Sequence, residues 1–366
     1  MAVNVATKMM VMVLVVFSTL PPLMEASGRV DIQKLRKLAA QNNVTCILVF
    51  GDSSVDPGNN NRLSTTFKGN FAPYGKSFYG GRPTGRFCNG RLTTDFIAEA
   101  LGFTKIIPGY LQPNVTNNDI LHGVSFASAA SGYDDLTANL TNVLPVSKQL
   151  EYLLHYKIRL TKLVGQKKAS EIIGNAIFIL SMGTNDFIQN YFIEPTRAKE
   201  FTIDKYEDFL VSCMIKDIKQ MHRIGATRLV VVGVPPLGCM PLVKTLLGGP
   251  SGACVENFNN ASFSFNTKVQ AAIAKVKTSL GLKTAYVDTY AILQGAMNNP
   301  KKYGFTETSK GCCGTGEIEF GDTCKGLTTC KDPAKYIYWD AVHPTEKMYS
   351  IIADDALQSV SSKILY

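Results

Sequence analysis

The stretch Cys46-Ile47-Leu48-Val49-Phe50-Gly51-Asp52-Ser53 decides the fold of this chain. A continuous run of branched and aromatic apolar residues is typical of a strand buried on both faces of a parallel sheet. The run stops at Gly-Asp-Ser, where the backbone can turn and present a hydroxyl at the carboxyl end of the strand. Ligands of open α/β sheets gather at that edge, so Ser53 is a candidate nucleophile. A serine there can equally be a turn or N-cap residue. The catalytic interpretation requires that the rest of the chain supply a base, an orienting acid and an oxyanion hole.

Further apolar segments downstream predict strands that end in small or polar residues, and amphipathic segments between them predict helices. The strands are predicted at 123–132, 176–181, 228–233, 284–288 and 336–340, and the helices at 92–101, 146–164, 206–224, 257–280 and about 345–360. This alternation favours a parallel sheet with helices on both sides. No repeat or flexible linker interrupts the pattern, so the sequence predicts one domain over residues 27–366.

The first 26 residues have the layout of a cleaved secretory signal peptide. Lys8 precedes an apolar run from Met9 to Leu20, and small residues follow near Ala26-Ser27. The run is shorter than the roughly 20 residues that a membrane-spanning helix needs. We therefore expect an exported protein without a membrane span.

Two other features agree with export. Four Asn-x-Ser/Thr sequons predict glycosylation at Asn43, Asn114, Asn139 and Asn260. Nine cysteines are present, and the last four crowd a glycine-rich loop, which predicts local disulfides rather than a zinc cluster. Because the total is odd, at least one thiol stays unpaired, and Cys46 in the buried strand is the candidate. The nine are Cys46, Cys88, Cys213, Cys239, Cys254, Cys312, Cys313, Cys324 and Cys330.

The formal net charge is +9, but the basic residues are scattered and form no stripe with aromatic residues. This distribution argues against nucleic acid as a partner. A basic exported protein can instead associate weakly with an anionic polymer matrix, such as that of a cell wall.

The chain contains four histidines, any of which could in principle act as the base for Ser53. His343 follows Asp340 by three residues, across a tight turn and just before the last helix. In that arrangement the carboxylate can accept the Nδ1–H of the imidazole and leave Nε2 free for a hydroxyl. The alternative is a helix-entry His-Pro with a surface aspartate.

Acyl transfer also needs donors aimed at the developing oxyanion. The side chain of Asn185 and the backbone N–H of the Ser131-Gly132 turn stand at the carboxyl ends of two other predicted strands, and Ser53 can add its own N–H. Each of these residues alone could belong to an ordinary turn. Their common position at strand ends favours a catalytic interpretation.

Four sequence motifs that contain the candidate residues resemble, in order along the chain, the motifs of the GDSL esterases/lipases, which are SGNH hydrolases. Three further motifs resemble the plant branch of that family. The blocks are Gly51-Asp52-Ser53, Gly123 to Gly132, Gly183-Thr184-Asn185-Asp186 and Asp340-x-x-His343, and the plant motifs are Phe71-Ala72-Pro73-Tyr74-Gly75, Gly80-Gly81-Arg82-Pro83-Thr84-Gly85-Arg86-Phe87 and Gly311-Cys312-Cys313-Gly314. The resemblance covers residues 45–360. It implies a three-layer α/β/α, flavodoxin-like fold and a secreted serine esterase or lipase without metal or cofactor.

Carried over by position, the resemblance implies that Ser53 is the nucleophile, His343 the base and Asp340 the orienting acid. It also implies that Asn185 and a glycine of the second block are oxyanion donors. We expect Gly132 rather than Gly123, because Gly132 follows the predicted strand.

The chain departs from the family pattern at three positions. Ser54 replaces the leucine of the name-giving motif, and we expect a small effect because it packs behind the nucleophile. Ser125 and Ala130 stand where asparagine and glycine are more frequent in the family.

The loops 67–89 and 303–335 are expected to line the pocket for an ester whose identity the sequence leaves open. An acyltransferase with the same residues and a non-catalytic wall-binding protein are the alternatives; product analysis with added acceptor tests the first of these.

Overall fold

Five parallel strands form the central sheet of the computed structural model, which describes residues 30–366. The predicted signal peptide, residues 1–26, therefore lies outside the described residues. The strands stand in the order β2-β1-β3-β4-β5. They are β1 Ile47–Gly51, β2 Gly123–Ser125, β3 Ile177–Ser181, β4 Arg228–Val232 and β5 Lys283–Val287. Every residue of β1 is buried, which confirms the interpretation of its unbroken apolar run.

Helices cover both faces of the sheet, so the predicted three-layer α/β/α architecture is confirmed. α2 packs against α1 and α13 on one side, and α8 packs against α5 and α10 on the other. No helix within residues 30–366 is long and apolar enough to cross a membrane. The helices are α1 Ile32–Gln41, α2 Thr93–Leu101, α3 Asn117–His122, α4 Asp135–Leu140, α5 Val146–Val164, α6 Gln166–Gly174, α7 Thr184–Phe187, α8 Ile203–Ile224, α9 Pro241–Leu247, α10 Glu256–Leu280, α11 Thr289–Asn298, α12 Pro300–Tyr303 and α13 Glu346–Lys363.

The second strand is shorter than predicted, because it ends at Ser125 instead of extending through residue 132. Beyond that point the Asn59 side chain donates to the carbonyls of Ser125 and Ala127, at 2.9 and 2.8 Å. The Ser125 carbonyl also accepts the Tyr110 N–H at 2.8 Å, so these edge carbonyls are satisfied by a side chain and a loop instead of by another strand. The segment that follows is a small-residue turn at the carboxyl edge.

A two-stranded parallel sheet stands beside the main one and consists of β6 Glu307–Gly311 and β7 Tyr336–Tyr338. Only the second of these strands was predicted, since 307–311 is polar and half-buried. Two disulfides lie in the glycine-rich loop between β6 and β7, which confirms the prediction of local pairing there. Cys46 is unpaired and buried, as predicted. The disulfides are Cys312–Cys330, Cys313–Cys324 and, elsewhere, Cys239–Cys254.

Candidate active site

Ser53, His343 and Asp340 meet at the carboxyl edge of the sheet. Ser53 follows β1, while Asp340 and His343 lie in the turn between β7 and α13. The Nε2 atom of His343 lies 2.8 Å from Ser53 Oγ, and its Nδ1 lies 2.8 Å from Asp340 Oδ2. Asp340 is fully buried, whereas Ser53 is partly exposed. A proton on Nδ1 shared with the carboxylate leaves Nε2 as an acceptor for the Ser53 hydroxyl.

Several other donors fix the Asp340 carboxylate. Its Oδ1 accepts the backbone N–H groups of Val342 at 2.8 Å and His343 at 2.7 Å, and its Oδ2 accepts the Tyr74 hydroxyl at 2.7 Å. Burial and, after it, the Asp340 charge hold the pKa of Tyr74 well above its ordinary value, so the phenol stays protonated and donates. The Tyr74 oxygen in turn accepts the Gly321 N–H at 2.6 Å. The tyrosine therefore connects the acid to the disulfide-rich loop.

That loop also holds the chain just before Asp340. The backbone N–H groups of Cys312 and Cys313 donate to the carbonyl of Trp339, at 2.8 and 2.9 Å. On the other side, the ring of Phe87 lies 4.9 Å from that of His343, centroid to centroid. Sequence reasoning did not assign roles to Tyr74 or Phe87; their presence in the plant motifs was the available signal.

Replacement of Tyr74 by Phe should lower kcat/KM for an aryl ester by about ten-fold, because the Asp340 carboxylate loses a hydrogen bond of the charged kind, worth about 1.5–3 kcal/mol, and is less firmly oriented. Initial rates with an aryl ester measure this loss. Tyr79→Phe is the matched control, since Tyr79 belongs to the same loop and is 52% exposed. An unchanged kcat/KM in the Tyr74 variant would contradict the positioning role of Tyr74.

The turn that presents Ser53 is braced by polar contacts on either side of it. Asp52 Oδ1 accepts the Ser54 N–H at 2.9 Å and the Ser54 hydroxyl at 2.7 Å. Ser54 Oγ also lies 2.9 Å from Ser181 Oγ at the end of β3. Burial raises the pKa of Asp52 to about 6, against the lowering effect of the Ser54 bonds. Ser54 therefore braces the turn through hydrogen bonds that a leucine cannot make.

Asn185 lies in the first turn of α7 and lines the same two cavities as Ser53. Its Nδ2 donates to the Ser131 carbonyl at 2.9 Å and its Oδ1 accepts from Gln189 at 2.9 Å, which fixes the orientation of the amide. One Nδ2 hydrogen remains for another acceptor. Within residues 30–366 the Ser53 N–H also makes no hydrogen bond.

Gly132 and Gly123 are the two glycines of the second block that were considered as oxyanion donors. Gly123 packs against the backbone of Ile47 at the amino end of the sheet. Gly132 lies so close to Asp186 that an added Cβ would stand 2.1 Å from its carboxylate. Ala130 instead lines the cavity beside Ser53, with a φ of 69°, in the left-handed region that favours glycine. The family's frequent glycine at that position has a physical reason in this backbone conformation.

Two cavities meet at Ser53, Asn185 and His343. The inner cavity, of about 100 Å³, runs between the sheet and helices α2, α11 and α13. The outer groove, of about 460 Å³, is lined by parts of both loops that were expected to line the pocket. Apolar walls of the inner cavity include Ile97, Val232, Val287, Leu293 and Ile352. Those of the outer groove include Phe67, Phe87, Ala130, Ile193 and Phe320.

The chain is similar in sequence to a known protein family and to several plant proteins. The sequence profile of the GDSL-like lipase/acylhydrolase family matches residues 47–356. A GDSL esterase/lipase of Arabidopsis thaliana is 55% identical over 335 residues, which are 92% of this chain and 93% of that protein. The GDSL esterase/lipase APG of the same plant is 45% identical over 314 residues, or 85% of this chain and 89% of that protein.

Among solved structures, a catalytic mutant of an acetylxylan esterase from Geobacillus stearothermophilus aligns over 86% of this chain and 94% of its own, with a TM-score of 0.40 and 14% identity. A similarity this low does not bear on function. From the family match and the plant relatives, the chain belongs to the GDSL-like lipase/acylhydrolase family. It is a carboxylic ester hydrolase.

Proposed function

We propose that this esterase works through a Ser53–His343–Asp340 triad and an acyl-enzyme. The observation that carries the proposal is the continuous chain of contacts from Ser53 Oγ through both ring nitrogens of His343 to Asp340, each 2.8 Å long. Ser53 Oγ attacks the ester carbonyl carbon while His343 Nε2 takes its proton and passes it to the leaving alcohol oxygen. Water then attacks the acyl-enzyme and gives a proton to Nε2, which returns it to Ser53 Oγ as the bond to the acyl carbon breaks and the carboxylic acid leaves.

The oxyanion is stabilised by the Ser53 N–H, one Nδ2 hydrogen of Asn185 and a backbone N–H of the turn before α4. The free Ser53 N–H and the fixed amide of Asn185 support the first two donors. Ala130, rather than Gly132, lines the cavity beside Ser53, which supports the Ala130 N–H as the third donor. Preorganised donors of this kind are worth about 10²- to 10³-fold each in kcat.

Export follows from the signal-like segment over residues 1–26 and is supported by the disulfides and the exposed sequons. The asparagines of the sequons all have exposed side chains, so a glycosyltransferase could reach each of them. With a net charge of +9, an exported esterase would also be attracted to anionic wall polymers. The exposed asparagines are Asn43, Asn114, Asn139 and Asn260.

A fluorophosphonate tests the proposed nucleophile directly. Ser53 Oγ should attack phosphorus and displace fluoride, so that the peptide containing Ser53 gains the phosphonyl mass and ester hydrolysis stops in proportion. Peptide mass spectrometry locates the modification, and the exposed Ser147 on α5 serves as the internal control that stays unmodified. An unlabelled Ser53 in a folded protein would favour the non-catalytic alternative.

A further inference from the structure

The buried face of helix α5 contains one amide side chain, that of Gln149, among apolar and aromatic ones. Gln149 is fully buried, with 0% of its surface exposed. The other buried residues of the helix are Val146, Leu150, Leu153, Tyr156 and Leu160. Burial of a carboxamide costs free energy unless its polar atoms are hydrogen-bonded, so a helix that only packs against a sheet favours an apolar residue at this position. The partners of the Gln149 amide therefore indicate what the residue is for.

Gln149 takes the place of a neighbouring strand at the carboxyl end of β1. β2 ends at Ser125, which pairs with Val49, so that within residues 30–366 no strand pairs with Gly51 on that side. Oε1 of Gln149 accepts the Gly51 N–H, and its Nε2 donates to the Gly51 carbonyl, both at 3.0 Å. One carboxamide thus satisfies both backbone groups of the residue two positions before the nucleophile.

The turn 128–131, which contains Ala130, is bonded to the same carbonyl. The Ser131 N–H donates to the Ser128 carbonyl at 3.2 Å and closes the turn. The Ser128 N–H at 3.0 Å and the Ser131 hydroxyl at 2.9 Å both donate to the carbonyl of Gly51. The Nε2 atom of Gln149 also lies 3.2 Å from Ser131 Oγ. The amide therefore contacts both the end of β1 and the turn that is bonded to it.

The remaining contacts of this region leave Gln149 as the support on one side. The Ser131 carbonyl accepts Nδ2 of Asn185 at 2.9 Å, so the turn is also tied to α7. On the β3 side, Gly51 lies so close to Ser181 that an added Cβ would stand 2.1 Å from its carbonyl oxygen. The end of β1 is thus fixed by β3 on one side and by Gln149 and the turn on the other.

We propose that Gln149 is a positioning residue for ester hydrolysis, which holds the strand end before Ser53 and the turn around Ala130 at one separation, so that the nucleophile and the oxyanion donors stay aligned. The proposal rests on the mechanism and the donors proposed above. Gln149 is not among the described residues that line either cavity, so it acts through the backbone and not on the substrate. A misplacement of about 1 Å between reacting groups can cost about 10²-fold in rate.

The first test is Gln149→Met, which keeps the length of the side chain and removes the hydrogen bonds of the amide. kcat for p-nitrophenyl butyrate should fall about 10²-fold, while KM should change by less than about three-fold. Leu160→Ala is the matched control: Leu160 is buried on the same helix but lies towards the amino edge of the sheet, where Lys157 donates to the Ile224 carbonyl. This control should unfold at lower temperature and keep wild-type kcat. A folded Gln149→Met protein with wild-type kcat would mean that the amide only stabilises the fold, and the proposal would be wrong.

Butaneboronic acid measures the oxyanion hole separately from substrate binding. Its boron accepts an electron pair from Ser53 Oγ, the hydroxyl proton passes to His343 Nε2, and the tetrahedral boronate resembles the transition state of acyl transfer. The inhibition constant should rise in Gln149→Met by about the factor by which kcat/KM falls, and it should stay at the wild-type value in Leu160→Ala. An unchanged inhibition constant in the folded Gln149→Met protein would also overturn the proposal.

Ser131→Ala tests the same contact without removing the buried amide, and it decides the question alone if Gln149→Met does not fold. kcat should fall about ten-fold, and in the double variant the loss should be smaller than the product of the two single losses, since both residues act on one contact. Ser262→Ala should keep wild-type kcat; Ser262 is a buried serine on α10 whose hydroxyl donates to the Phe258 carbonyl at 2.9 Å. Losses that multiply, or wild-type kcat in Ser131→Ala, would contradict the proposal.

Failure of the proposed mechanism would look different from failure of this inference. If Ser53 were not the nucleophile, the fluorophosphonate would leave Ser53 unlabelled in the wild-type protein, whatever the residue at position 149. If only the positioning role were wrong, Ser53 would be labelled and the Gln149→Met and Ser131→Ala proteins would hydrolyse the ester at the wild-type rate.

Discussion

Ser53→Ala should lower kcat for hydrolysis of p-nitrophenyl butyrate by about 10⁴- to 10⁶-fold and leave a residual rate about 10³- to 10⁴-fold above that of the uncatalysed reaction. In the proposed mechanism the substitution removes the atom that forms the acyl-enzyme, while His343 and Asp340 keep their mutual contacts. Removal of a partly exposed hydroxyl creates no buried cavity, so the midpoint of thermal unfolding should change little. Initial rates at saturating ester, together with a calorimetric scan, measure both quantities.

Ser147→Ala is the matched control for that experiment, because Ser147 is an exposed serine on α5 whose hydroxyl bonds to Asp135. Its kcat should equal that of the wild-type protein. A Ser53→Ala protein that retains more than a hundredth of the wild-type kcat would show that water or another side chain attacks the ester, and the triad would have to be abandoned.

The sequence was informative about the sheet because β1, β3 and β4 contain unbroken apolar runs. The run that leads to Ser53 could be placed to within a residue, since it is short, rich in branched and aromatic residues and ends at Gly-Asp-Ser. The polar segment 307–311 offered no such signal and becomes a strand only by pairing with β7. The last residue of β2, Ser125, is contacted by the amide side chain of Asn59, which lies 66 residues away in the sequence, so its environment could not be inferred from the local pattern.

The residues of the candidate site also differ in whether the sequence could predict them. Residues at strand ends, such as Asn185, could be expected to meet Ser53 because parallel strands share one carboxyl edge. Tyr74 could not, since its contact with Asp340 spans 266 residues and depends on the path of an irregular loop. The third proposed oxyanion donor was equally inaccessible from the sequence, because the run of small residues from Ala127 to Gly132 gives each backbone N–H the same local preference. The φ angle of Ala130 and its place in the wall of the outer groove distinguish it in the structure.

Asp340→Asn should lower kcat by about 10⁴-fold at neutral pH while the protein stays folded. The wild-type carboxylate accepts hydrogen bonds from Tyr74, Val342 and His343 and donates none. A carboxamide has one acceptor oxygen and a donor NH₂ group, so it cannot satisfy all of these donors at once. If its NH₂ group faces Nδ1, the ring proton moves to Nε2, and that nitrogen can no longer accept the Ser53 hydroxyl.

Two measurements separate this tautomer effect from general damage to the turn. The ¹⁵N resonances of the His343 ring report which nitrogen is protonated, and they should change places between wild-type and Asp340→Asn protein. Asp332→Asn is the control, because Asp332 is an exposed carboxylate just before β7 and caps a short turn there. If Asp340→Asn kept a tenth of wild-type kcat, a different carboxylate would have to orient His343. Asp52 is the neighbour to test next, since it is a buried carboxylate directly before Ser53.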